Sequence, residues 1–515
     1  MVYRRDDVRS IDVRELLELA SLRRSNLVAR GVKQGDRVGI LGPTHAEFIA
    51  WAFATWLAGA TVVPLPSPIR VRDAEALRSQ TTALTDAFEC RVVIAHPRFM
   101  QYAPADLVFS WDDVDASLAP DASDGGREDD MAMIMCTSGS TALPKGVGLT
   151  HRKMLGRPLN KSLLNQTRLE KTRSLSFLPL THAGGSTAML SVLSRGTEAH
   201  IMAPELFARD PSEWLRLAQR IEATSIAGPS SAWAAALDAA QRRPEGLDLS
   251  RIGRAMFSME MIDADIVERL IEQGAKFGLR EEVVGLVYGM SEGGSTSTMP
   301  GEPLQFDVVD LDELVLHGRA VPANADTAHT KRIACCGRAT SGLELRAMGP
   351  DGALPDREIG ELQFRGPYLM QSYVGPAAED TFDGEWLRTG DLGYLIDGQV
   401  YVTGRVKELI VHLGRKYHPE DIERAAAQAA GVLAHECVAF SPLDGAEGDV
   451  VIAIEVDDAA PDLEALVRSA VTSGVGIVPS AIVFVPKGNL PKAANGKQQR
   501  LAARSQYASG ILTAR

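Results

Sequence analysis

Apolar and polar positions along the chain fall into blocks of two periods. Residues 13–31, VRELLELASLRRSNLVARG, put apolar side chains at helical spacing and stop at a glycine. RVGILG (37–42) reads as a short buried strand, AEFIAWAFATWLAG (46–59) as an apolar helix, and ATVVPLP (60–66) as a second strand. Strand signals return in RVVIAHP (91–97), MAMIMCTSG (131–139), TRSLSFLPL (172–180) and ATSIAGP (223–229), with helix-like stretches between them. Strands alternating with helices predict parallel-type sheets covered by helices. From about Leu343 the texture becomes short strands and turns: LELRAMGPDGALP, GELQFRG, GQVYVTGRV. After GRVKELIVHLGRKYHPEDIERAAAQA, strand and helix signals alternate again, as in a small α+β unit. The expected class is therefore α/β. A large N-terminal domain, residues 1–403, holds parallel-type sheets with packed helices plus a β-rich subdomain. A small, mobile α+β domain, residues 404–515, follows it. The acidic stretch LAPDASDGGREDD (118–130) reads as a surface loop leading into the next strand, and no internal repeat is present.

Size and charge narrow the functions available. A chain of 515 residues is long enough for two or three subdomains. The net charge of −13 argues against nucleic-acid binding, which favours a basic surface. Lysines and arginines inside glycine-rich segments gain weight in so acidic a chain, because anion binding there requires local positive charge. The five cysteines (Cys90, Cys136, Cys335, Cys336, Cys437) lack CxxC spacing and read as reduced, mostly buried thiols. The N-terminal residues do not form a signal peptide, and no apolar run is long enough to span a bilayer, so a cytoplasmic location is expected.

The segment with the clearest chemistry is TSGSTALPKG (137–146), directly after the apolar strand MAMIMC. Hydroxyls on Thr137, Ser138, Ser140 and Thr141, glycines at 139 and 146, and Lys145 suit a phosphate cradle. Small residues let backbone N–H groups approach phosphate oxygens, and the lysine adds a mobile charge. The Gly-Lys-Ser/Thr order of a Walker A loop is absent. A plain Ser/Thr/Gly turn is the competing reading of this segment alone.

Four further motifs follow in order: YGMSE (288–292), LRTGD (387–391), GRVKE (404–408) and PKAANGK (491–497). Together with the 137–146 loop they resemble the acyl-adenylate-forming superfamily of acyl-CoA synthetases, nonribosomal-peptide adenylation domains, luciferases and fatty acyl-AMP ligases. The resemblance covers essentially the whole chain and implies ATP as substrate with Mg2+. It implies that Tyr288 lies against adenine, with Gly289, Met290 and Ser291 beside it and Glu260 on the same side. It gives Glu292 the role of Mg2+ ligand, with Thr141 as a second candidate, and Asp391 that of ribose acceptor. Arg405 would contact ribose or phosphates, Lys145 the phosphates, and Lys497 the atoms that gain charge during adenylation. Lys407 falls at the hinge about which the family's C-terminal domain rotates. His182 falls on the substrate side, where a satisfied structural histidine is the competing reading.

Within the superfamily, ATSIAGPSSAW, GLDLSRIGRAMFSMEMIDADIVERL and the segment before Cys336-Gly337-Arg338 resemble fatty acyl-AMP ligases. That likeness implies an acyl group passed to a carrier protein's phosphopantetheine, with an insertion that limits domain rotation. Ser230 would belong to the acid pocket. Two departures stand out. Ala142 replaces a loop glycine, and Phe257-Ser258-Met259-Glu260-Met261 replaces Asn-Gly-Ala-Glu-Pro. The added bulk implies either a compensated rearrangement of the core or a reshaped acid pocket. A reshaped pocket suits a second reading, an ATP-dependent diazotase that activates nitrous acid for an arylamine. A third, a nucleotide-binding relic, is disfavoured by the presence of Glu292 and Lys497.

Overall fold

The computed structural model describes residues 1–4, 8–69, 71, 73–121, 125–136, 145–156, 172–195, 198–299, 301–376, 381–412, 415–433, 436–442, 449–492 and 498–512. Two sheets with parallel cores carry the first half. In the first, Thr61–Leu65, Arg37–Leu41, Cys90–Ala95 and Val108–Ser110 run parallel, with Met131–Cys136 joining beside Thr61–Leu65. Helix Ala46–Leu57 covers this sheet. Its apolar face buries Phe48, Trp51 and Trp56, and the two indoles donate to the carbonyls of Trp111 and Ala132. These polar ends are thus satisfied inside an apolar layer. Helix Val13–Ala29 packs on Ala46–Leu57 and starts where the Asp12 side chain accepts from Glu15 N.

The second sheet runs Val284–Leu286, Arg254–Phe257, Ser225–Gly228, Arg173–Ser176, Glu198–Met202, Val2–Tyr3, with Val8–Arg9 antiparallel at its edge. Its core is an aromatic series: Phe177 against Trp214, Trp214 against Trp233, and Trp233 stacked on Phe257 at 5.0 Å.

The six early strand signals all form strands, but the β-rich part begins well before Leu343. Its nine-stranded sheet already includes Thr296–Ser297, Phe306–Asp310 and Thr330–Ala339. These segments carry threonine, serine, aspartate, lysine and arginine among their apolar residues, which hides them from a search for apolar runs. The strand Gln399–Arg405 continues two residues past 403, paired so that Asp391 faces Arg405. A 3-10 turn, Val406–Glu408, then leads into Ile410–His412 and Arg415–Tyr417, helix Pro419–Ala430 and a three-stranded sheet with Leu463–Val475 and Arg500–Ala508.

One apolar cluster crosses this junction. Val309, Leu314, Ile333 and Tyr394 pack in the same core as Ile410, Tyr417, Ile422 and Ala426. Lys331 and Asp421 form an ion pair of 2.7 Å across it, both nearly inaccessible. Burial works against the Asp421 charge, yet Lys331 holds its carboxyl below the usual range. Beside them burial pushes the His418 imidazole down to about 3, with Lys331 adding to the shift.

Candidate functional site

The site is assembled where the first sheet meets the β-rich region. Strand Met131–Cys136 leads into the 137–146 loop, and Gly146–Thr150 returns antiparallel to it. Thr137, Ser138, Gly139, Ser140, Thr141 and Ala142 lie outside the described residues, as does Lys497. Gly146 begins the return strand where a Cβ would stand 2.4 Å from Ile134 Cγ2 and 2.9 Å from Phe88 Cζ, so the close layer contact excludes a side chain. The strand Ser372–Val374, from the β-rich part of the chain, pairs antiparallel with Gly146–Thr150 and places Tyr373 opposite Val147.

The YGMSE segment is a tight turn. Gly289 bridges Ser295, Met290 N donates to Gly294 O, and Thr296 N donates to Tyr288 O. Gly293 has φ +109°, and a Cβ there would meet Tyr368 O at 2.7 Å. A left-handed residue pressed against backbone has to be glycine. The turn tucks Glu292 inward until only 8% of it is exposed. Its Oε1 accepts from the Tyr373 hydroxyl at 2.5 Å, the length of a charge-assisted bond. Lys145 Nζ lies 3.6 Å from the centre of the same tyrosine ring. Met290 packs against the first sheet's core, and Ser291 lies within the turn.

A second cluster surrounds Asp391. The Tyr288 hydroxyl donates to Asp391 Oδ2 at 2.8 Å, and Arg405 Nε donates to Oδ1 at 2.9 Å. Tyr288 also stacks loosely on Phe364, at 6.0 Å. Burial, then the Asp391 charge, push the Tyr288 hydroxyl well above its ordinary range, so it is a donor at any working pH. Three residues from distant motifs are thus joined, and both Asp391 oxygens are engaged. A diol binding there has to share or displace those donors.

Glu260 accepts from Ser231 N at 2.7 Å and Ser231 Oγ at 2.9 Å. It thereby satisfies an N-terminal donor of helix Ser230–Arg242. Ser230 Oγ is buried with no hydrogen-bond partner among the described residues. Phe257 is fully enclosed against Trp233, so its bulk is used in the core; Ser258 is buried beside it, and Met261 is half-buried. Met259 sits at φ +74°, a left-handed conformation that methionine rarely adopts. A Cβ placed on Gly184 would be 3.4 Å from Met259 Cε and 3.7 Å from His182 Nδ1, so both side chains converge on the start of helix Ala183–Arg195.

Lys407 is exposed in the 3-10 turn. The described residues flanking 493–497 are tied down. Glu455, itself buried, accepts from Leu490 N and from Lys492 Nζ at 2.9 Å. Arg500 forks onto both Glu423 oxygens at 2.7 Å and reaches Glu420 and Glu408. Sequence reasoning missed Tyr373 and Arg500. Tyr373 gains its neighbours only through pairing with a strand more than two hundred residues earlier in the chain. Arg500 did carry a signal: a cation in the first turn of a helix opposes the helix dipole and needs carboxylates nearby.

Residues fit a magnesium–phosphate complex in one respect. Glu292 is a hard carboxylate beside Lys145 at the exit of the phosphate-type loop. Among the described residues no three His, Cys, Asp or Glu side chains gather as a metal cage. An Mg2+ ion held by one carboxylate and substrate phosphates needs no such cage.

Comparison with known proteins identifies the family. The AMP-binding enzyme family matches residues 1–374, and the AMP domain of Disco-interacting protein 2-like proteins matches residues 407–515. Putative ligase Rv1013 of Mycobacterium tuberculosis is 31% identical over 507 residues, covering 94% of this chain and 92% of that protein. Medium-chain-fatty-acid–[acyl-carrier-protein] ligase JamA of Moorena producens is 26% identical over 98% of this chain and 91% of its own. A solved structure from a study of fatty acyl-adenylate ligases from E. coli and L. pneumophila superposes with a TM-score of 0.87 at 25% identity, over 97% of this chain and 92% of that one. The chain belongs to the AMP-binding enzyme family and is an adenylate-forming ligase.

Proposed function

We propose that this chain activates a fatty acid as its acyl-adenylate and passes the acyl group to the phosphopantetheine thiol of a carrier protein. The observation that carries the reading is the convergence of two polar clusters, Tyr288–Asp391–Arg405 and Glu292–Tyr373–Lys145, beside the 137–146 loop. The named activity of the JamA relative supports the class of acid and acceptor.

The first cluster binds the nucleoside: Asp391 accepts the ribose hydroxyls and Tyr288 lies along adenine, with Glu260, Gly289, Met290 and Ser291 forming the walls. The second takes the triphosphate. Lys145 and the hydroxyls of Thr137, Ser138, Ser140 and Thr141 hold phosphate oxygens, with backbone N–H groups of Gly139 and Gly146 beside them. Glu292, with Thr141, would hold Mg2+, which neutralises phosphate charge when bound. The acid enters past His182, Ser230 and Met259. Its carboxylate oxygen bonds to the α-phosphorus while the bond to the bridging oxygen breaks and pyrophosphate leaves. Lys497 and Arg405 offset the charge that gathers on those oxygens. Residues 404–515 form a C-terminal unit that turns about Lys407 between this step and transfer. The apolar core and the Lys331–Asp421 pair that cross the junction favour a restrained turn.

A second reading has its own observation. Met259 closes over Gly184, and Phe257 fills the core behind it, which suits a small acid such as nitrous acid delivered to an arylamine. Pyrophosphate release measured with fatty acids of graded length, aromatic acids, and nitrite plus an arylamine separates the two. Fatty-acid-dependent release, with the acyl group recovered on a phosphopantetheinylated carrier protein, is expected. Turnover confined to nitrite and amine would replace it. Lys497→Ala should abolish adenylate formation and keep ATP binding, measured by calorimetry; retained turnover removes Lys497 from the mechanism.

A further inference from the structure

We infer that Tyr373 is a positioning residue that sets Glu292 and Lys145 as one unit for the metal–triphosphate complex. This rests on the roles proposed above for those two residues.

Three independent features place it there. Its hydroxyl donates to Glu292 Oε1 at 2.5 Å, which fixes one carboxylate oxygen and leaves the other to face a cation. Its ring face carries Lys145 Nζ at 3.6 Å, close enough for a cation–π contact. Donation to a carboxylate moves electron density toward the ring and strengthens its hold on the ammonium. The backbone around Tyr373 is tied to both sides of the site as well. Met370 N donates to Glu292 O at 2.6 Å, Gln371 N donates to Gly148 O at 2.8 Å, and Tyr373 itself pairs with Val147. Tyr373 packs partly against the first sheet's core and Val374 beside it against the neighbouring one, but packing alone does not account for a hydroxyl and a ring face that each meet a charge.

The physical role follows from charge. Glu292 and Lys145 would bond each other directly if nothing separated them, and a direct pair would have to break before phosphate and metal could bind. The phenol keeps opposite charges apart, one on its edge and one on its face. Each charge is thereby held at its own contact on the phenol.

The test is the Mg2+ dependence of ATP binding by calorimetry, with wild type, Glu292→Gln, Tyr373→Phe and Tyr373→Leu. Tyr373→Phe keeps the ring and should raise the Mg2+ concentration for half-maximal ATP binding about tenfold, as loss of a partner behind a metal ligand does. Tyr373→Leu also loses the ring and should weaken ATP binding at saturating Mg2+ by roughly fivefold more. Thermal unfolding of Tyr373→Phe should fall only modestly, because one donor to a buried carboxylate is lost while the ring keeps its packing. An unchanged or lowered Mg2+ requirement in Tyr373→Phe, with Glu292→Gln impaired, overturns the inference and leaves the proposed function standing. Reduced thermal stability with unchanged Mg2+ dependence assigns Tyr373 a packing role and overturns it too. Indifference of wild-type ATP binding to both Mg2+ and Glu292→Gln removes the proposed function itself, and the inference with it.

Discussion

At the scale of single residues, Asp391 and Met259 show how the site is held before any ligand arrives. Tyr288→Phe removes one donor from a buried carboxylate, so the free protein should lose about 1.5–3 kcal/mol of stability. On the proposed role of Asp391, bound ATP supplies ribose hydroxyls to the vacated oxygen. Chemical denaturation with and without saturating ATP should therefore show a smaller deficit in its presence, and an equal deficit in both would separate Asp391 from the ribose. Met259 stores strain of about 1–2 kcal/mol in its left-handed backbone. Glycine relieves that strain while losing the side chain's contacts; valine, branched at Cβ, worsens it while keeping more volume. Met259→Val should thus have a lower thermal midpoint than Met259→Gly, although size alone predicts the reverse order. The motif residues themselves were legible from sequence because each is a polar group in a short glycine-containing motif, whether turn or strand. Tyr373 was not, since nothing local distinguishes an aromatic that packs from one that bridges two charges.

At the scale of elements, the early strands were legible wherever they are buried on both faces, as in Arg37–Leu41 and Thr61–Leu65, whose residues form near-continuous apolar runs. The strands from Thr296 to Ala339 escaped because they are short or mixed in polarity, and because Thr330–Ala339, with which the other two pair, finds its own partner in Gln399–Arg405 far down the chain. The same blindness covered the ties that hold helix Arg500–Ala508. Burial pushes the Glu423 carboxyl up, opposed chiefly by the Arg500 fork and also by Ala439 N, which donates to it. Arg500→Gln should destabilise the protein by about 3–5 kcal/mol in denaturant titration, as expected when a buried charge loses its partner. Arg500→Lys should fall between, because an ammonium cannot fork onto two oxygens. Across the junction, Lys331→Met should cost a similar amount, and adding Asp421→Leu should recover much of it. A double variant no better than Lys331→Met would show that the pair has little mutual dependence.

For the molecule as a whole, acid should act first at the junction between its two parts. His418 has a folded pKa of about 3 against an ordinary 6.5, so the unfolded chain binds the extra proton between those values. Its contribution is fully present above roughly pH 6.5 and is lost as pH falls toward 3. Asp421, held below its usual range, acts in the same direction at the lower end. Stability measured in denaturant should drop between about pH 7 and 5, and His418→Asn should flatten that drop. An undiminished slope in the variant would place the acid sensitivity elsewhere. The edge strand Ser372–Val374 has a consequence for biosynthesis as well. Until that segment emerges from the ribosome, Gly146–Thr150 presents an unpaired edge while most of the first sheet can already form. Open edges invite pairing with other nascent chains, and two glycines in those five residues lower the strand's tendency to accept a stranger. The glycines of this strand are thus also a safeguard during synthesis: replacing Gly148 by valine should raise the fraction of newly made protein that aggregates.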